Sequence, residues 1–124
     1  MPIQNRPTVE EAKQFEKYVR KWQQLLSLGD WRIERSSKIA KNAMADVAFD
    51  APARLATYRL GDWGGEPITP ESLEKTAIHE LLHVRLHDLI ATAQNKEATE
   101  EQLEAAEHAV VNVLERLLAG EKEE

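Results

Sequence analysis

Residues His79-Glu80-Leu81-Leu82-His83 set two imidazoles four positions apart with a carboxylate beside the first, a pattern suited to holding one metal ion next to a base. On an α-helix, positions four apart lie on one face, about 6 Å apart along the axis, so both rings can close on a single ion. Zinc takes imidazole nitrogen at about 2.0–2.1 Å, and hydrolytic zinc sites use three protein ligands and leave the fourth position to water. Glu80 points about 100° round the helix from His79, which lets it reach that water without displacing it. It reads as a general base, and the chemistry of the whole is metal-assisted hydrolysis.

The surroundings of the motif bear on that reading. Leu73, Ala77, Ile78, Leu81, Leu82, Val84, Leu86, Leu89 and Ile90 put apolar side chains on nearly every side, so the pattern predicts a helix buried within the domain. Polar groups left unpaired there cost about 1–3 kcal/mol each, and a charge costs more, which favours a bound metal. The plain alternative is a surface helix carrying two solvated histidines and a solvated glutamate.

A third ligand must come from downstream. His87 lies eight residues from His79, about 12 Å along a helix axis, which is too far for both to bind one ion. The next helical segment has an apolar stripe at Leu103, Val110, Leu114 and Leu117, and Glu107 falls within it. A glutamate facing a core calls for a partner, so Glu107 ranks first as third ligand, ahead of Glu104 and then His108. A Glu107 carboxylate that snorkels to the surface is the competing reading, and Glu104 could instead orient a ligand histidine.

Three helices are predicted to position these groups. Thr8 with Glu11 forms a capping-box pattern that opens a helix from Val9 to about Leu26, with Ala12, Phe15, Val19, Trp22 and Leu26 on its apolar side. Thr69-Pro70 opens the motif helix, which runs to about Ile90 or Ala91. Thr99 with Gln102 opens the third, which runs to about Ala119 before Gly120. Between the first two helices the period changes to two. Trp31 to Arg35 reads as a strand, and Ala45 to Phe49 with Leu55 to Leu60 read as a hairpin turning at Asp50-Ala51-Pro52-Ala53. Gly61 to Pro67 reads as a plain connecting loop before the motif helix, with a place on the cleft rim as the alternative.

Composition narrows the function classes. At 124 residues the chain fits one domain, 1–124, and its 42% apolar content suffices for one modest core. The lack of cysteine excludes disulfides, thiolate zinc sites and thiol nucleophiles, so any zinc must be held by His, Glu or Asp. A net charge of −6 argues against nucleic acid or anionic membrane as partner. The cluster Lys13, Lys17, Arg20 and Lys21 reads as one solvated side of the first helix, and Glu121 to Glu124 as a charged tail. With no apolar stretch long enough to span a bilayer, and no apolar leader after Met1, the expected location is cytoplasmic.

The segments Thr76-Ala77-Ile78-His79-Glu80-Leu81-Leu82-His83 and Glu107-His108-Ala109-Val110-Val111, in this order of elements, resemble the minimal zincin metallopeptidases of the His-His-Glu, gluzincin-like kind. The chain is similar in particular to small metallopeptidases of phages and bacterial mobile elements. It lacks the glycine-and-histidine extension of metzincins after His83 and the Asn-Glu sequence of thermolysin-like enzymes at the third ligand. The resemblance implies an α+β fold of N-terminal helix, small three-stranded antiparallel sheet, active-site helix and C-terminal helix. It implies a Zn2+ held by His79, His83 and Glu107, peptide-bond hydrolysis with Glu80 as base, and a peptide or protein substrate aligned along the hairpin. Tyr58, His87 and His108 are candidate oxyanion stabilisers. The rival expectations are a non-catalytic metal-binding module and a regulatory module that binds a partner through Phe15, Tyr18 and Trp22 on the first helix.

Overall fold

Each helix starts at its capping threonine. In the computed structural model, which describes residues 4–120, α1 spans Val9–Leu25, α2 Pro70–Gln94 and α3 Glu100–Leu118. Thr8 with Glu11, Thr69 with Ser72 and Thr99 with Gln102 all close reciprocal capping boxes, which satisfy backbone N–H groups that the first helical turn leaves free. The Met1 to Ile3 leader and the acidic tail lie outside the described residues.

Three strands follow α1: β1 Arg32–Ile39, β2 Ala45–Asp50 and β3 Leu55–Leu60. The expected β2–β3 hairpin is present, with Ala45 opposite Leu60 and Asp50 opposite Leu55. The expected all-antiparallel sheet is not. The strand order is β1-β3-β2, and β1 runs parallel to β3. The chain reverses once between β1 and β2 and again between β2 and β3, so β1 and β3 point the same way. Because β3 takes the centre, β1 has only a parallel neighbour.

Gly61 makes this order possible. The link from β1 to β2 must cross the end of β3, and it does so over Gly61, whose N–H donates to the Met44 carbonyl at 2.8 Å. A β-carbon at Gly61 would stand 2.2 Å from the Ala43 carbonyl oxygen and 2.8 Å from that of Ala40. Only glycine tolerates backbone so near.

Central position and burial go together. Along β3 every second residue, Ala56, Tyr58 and Leu60, is buried, whereas both outer strands carry polar residues on the solvent side. Phe15 of α1 meets Tyr58 with ring centroids 5.3 Å apart, and Val19, Leu26, Ile33, Leu73, Ala77, Leu81 and Val84 complete the same cluster. Glu74 of α2 accepts hydrogen bonds from Lys21 and from the Trp22 indole N–H, and Arg85 donates to the Leu26 and Ser27 carbonyls at the end of α1. Phe15 is therefore core, while Tyr18 and Trp22 pack against the core half-buried. The basic cluster is also largely engaged: Lys13 pairs with Glu10, Arg20 with Glu16 and Lys21 with Glu74.

Two helix readings need correction. α2 is not buried all round: its buried side is the single stripe Leu73, Thr76, Ala77, Glu80, Leu81 and Val84, while Ile90 is exposed. α3 buries Val110 and Val113, and Leu103 is 39% exposed. The buried line of α3 is thus rotated from the one expected, because α3 packs chiefly along α2, which covers one side of it.

Candidate functional site

The motif sits where α2 leaves the sheet. Thr76, Ala77, Glu80 and Leu81 face inward, which rotates His79 and His83 to the flank of the helix, where both are exposed. Their ring centroids are 5.0 Å apart, with the planes nearly perpendicular. Two imidazoles bound tetrahedrally at about 2.0–2.1 Å to one zinc would hold their centroids roughly 5 Å apart, a separation this pair matches.

Glu80 behaves differently from the histidines beside it. It is only 7% exposed and, among the described residues, makes no hydrogen bond. Burial, reinforced by the nearby charge of Asp46, pushes its carboxyl up to about pKa 7. Asp46 is itself held by Arg59, whose Nε donates to Oδ1 at 2.8 Å and whose second contact closes a bidentate pair.

A groove runs past these groups along the open edge of β2. On one side of His79 and Glu80 it widens to about 420 Å³ between Met44, Glu66, Ser72 and Lys75. On the other it continues as a cavity of about 270 Å³ between His83 and the strand residues Ala45 to Phe49. β2 pairs with β3 on one edge only, so its other edge leaves main-chain N–H and C=O groups without a strand partner, and residues of β2 line the groove.

The groove ends in an aromatic cluster. Phe49 stacks on His87 at 4.3 Å between centroids, and Trp31 meets both rings edge-on. The Arg54 guanidinium lies 4.0 Å from the Trp31 centroid and pairs with Asp30 and Asp88. His87 is thereby part of a packed wall one helical turn beyond His83.

No family model, no characterised protein and no solved structure matches the chain.

Sequence and structure part company at the third ligand. His79, Glu80 and His83 are brought together, but Glu107, Glu104 and His108 are exposed on α3. Among the described residues, no three His, Asp or Glu side chains converge closely enough to hold a metal ion. The stripe argument for Glu107 fails for a definite reason. With Val110 and Val113 as the buried line, Glu107 lies about 60° from the first and about 120° from the second, on the flank of α3. Tyr58 is also displaced from its candidate role: it is buried against Phe15, its hydroxyl has no partner, and burial raises its pKa to about 12.

Sequence reasoning missed Asp46, Met44, Lys75 and Glu66 as neighbours of the motif. Helical periodicity could have suggested Lys75 and Thr76, which lie one turn before His79 and Glu80. Nothing local to β2 or to the loop at Glu66 announces that they fold against α2. Among the described residues, no helix is long and apolar enough to cross a membrane.

Proposed function

We propose that the chain is a zinc-dependent metallopeptidase of the zincin kind, with Glu80 as general base. The observation that carries this reading is the placement of a buried Glu80 beside two imidazoles at zinc-sharing separation, in a groove bordered by an open strand edge. His79 and His83 would hold the ion, and Glu107 on the adjoining α3, which stands apart from the pair, would have to move toward them to serve as third ligand. Zinc, when bound, supplies water activation and polarisation of the scissile carbonyl.

The chain's own groups do the rest. An extended peptide adds to the free edge of β2 through main-chain hydrogen bonds, a form of strand addition. The cavities on either side of Glu80 accept side chains flanking the scissile bond. Glu80 takes a proton from the attacking water and delivers it to the leaving amine. Its burial keeps bulk water from competing for that proton.

The second reading is a non-catalytic metal-binding module that works through a partner. Elemental analysis of the purified chain separates the two when run beside peptide-cleavage assays. One zinc per chain, lost in Glu107→Ala, retained in Glu104→Ala, and retained in Glu80→Gln with cleavage abolished, is the expected result. Zinc without cleavage supports the second reading, and no stoichiometric metal overturns both.

A further inference from the structure

The edge of the sheet opposite the groove holds a separate cavity of about 410 Å³, which shares no lining residue with the cavities around His79 and Glu80. Arg6, Arg35 and Lys38 border it, with Gln4 and Ser37 as polar neighbours and no carboxylate in its lining. None of these three cations forms an ion pair among the described residues, whereas Arg20, Lys21, Arg54 and Arg59 all do. In a chain of net charge −6, three unpaired cations round one concavity run against the overall sign.

The cavity is held open by backbone. Between Arg35, opposite Tyr58, and Ile39, opposite Leu60, β1 has more residues than β3, so residues 36–38 bulge off the ladder and carry Ser37 and Lys38 to the rim. The other wall is pinned through Asn5, whose N–H donates to Asp62 Oδ1 at 2.9 Å and whose side-chain amide donates to the Gly64 and Glu66 carbonyls. The Trp63 N–H donates to the Asn5 carbonyl at 2.8 Å. Asp62, a carboxylate on which the Arg6 charge acts, accepts hydrogen bonds from the backbone N–H groups of Asn5 and Gly64. The segment bearing Arg6 is thus fixed by hydrogen bonds of its neighbour Asn5, and Arg6 forms no ion pair among the described residues.

We propose that this cavity binds a phosphoryl-type oxyanion of charge −2 or more, held between the Arg6 and Arg35 guanidinium groups and the Lys38 ammonium. Guanidinium forks match tetrahedral oxyanions bidentately, and Lys38 adds a point charge. Three cations reward a dianion over a carboxylate. The volume exceeds that of one phosphate, so a pyrophosphate or an organic phosphate is accommodated.

The test is an amide-resolved NMR titration of the full chain with inorganic phosphate and pyrophosphate at constant ionic strength, with chloride and acetate as comparators. Saturable shifts are expected at residues 4–6, 35–39 and 61, with Kd on the order of 1 mM or tighter for phosphate and lower for pyrophosphate. Arg35→Ala and Lys38→Ala should each weaken binding about tenfold, and Arg35→Lys should recover part of the loss. Both positions are exposed, so the variants keep the fold, which unchanged thermal unfolding verifies. Phosphoserine and AMP, run in parallel, rank the carrier of the group. Shifts that chloride reproduces, shifts confined to residues 79–83, or binding indifferent to both alanine variants would overturn the site.

Discussion

Glu80 and Asp46 border the same cavity, and the Asp46 charge adds to burial in holding the Glu80 carboxyl protonated up to about pH 7. Against an ordinary value of 4.5, the folded chain binds this proton more tightly than the unfolded chain. Its contribution to stability is therefore complete below pH 4.5 and is lost as pH rises through about 7, an effect on the order of 3 kcal/mol. In metal-free protein, urea midpoints between pH 4 and 8 should fall with rising pH in the wild type and stay flatter in Glu80→Gln. Parallel curves for the two proteins would contradict the assignment.

Glu80→Gln should also separate chemistry from binding. The amide is close in size and cannot accept the water proton, so zinc-loaded variant should lose about 10²- to 10⁴-fold in kcat while keeping its metal. Steady-state cleavage of a peptide mixture beside elemental analysis checks both halves.

His87→Phe tests the wall against the ligand pair. A phenyl ring preserves the stack on Phe49, so zinc stoichiometry should be unchanged, whereas His83→Ala should abolish it. Loss of metal in His87→Phe would make His87 a ligand.

Tyr58→Phe removes a buried hydroxyl that has no hydrogen-bond partner among the described residues. Such a group costs about 1–3 kcal/mol, so the variant should be as stable as the wild type or about 1 kcal/mol more stable in urea, with activity unaffected. A large fall in kcat alone would return Tyr58 to the reaction.

Gly61→Ala should be costly, because its methyl would meet two backbone carbonyls that cannot swing aside. Overpacking of a rigid site costs about 1–3 kcal/mol, and the closeness of the contact places this variant at the upper end. Denaturant unfolding gives the number, and a neutral result would mean that the link over β3 relaxes.

The helices were legible in the sequence to within a few residues, because their signals are local. A capping threonine followed three positions later by Glu, Ser or Gln acts within one turn, and 3.6-residue periodicity acts within one helix. The two-histidine motif with its adjacent glutamate was legible for the same reason. Its spacing is local to one helix, and α2 realises it.

Other features depended on contacts between elements. Periodicity showed that α3 has an apolar side but not which residues form its centre, and a small rotation moved Glu107 from an expected core position to the flank. The apolar ring around the motif likewise did not decide how much of α2 would be covered. Burial fell on Glu80 and spared His79 and His83 because the sheet and α1 cover one side only.

By itself the sequence determined the three helices, the β2–β3 hairpin and the proximity of His79, Glu80 and His83, since each follows from interactions among residues close along the chain. Only the tertiary structure decided that β3 lies between β1 and β2, that β2 offers its free edge to the motif, and that Asp46 acts on Glu80. Those relationships join residues dozens of positions apart. They rest on how apolar surfaces pack and on one glycine that lets the chain cross over itself, and no local pattern encodes either.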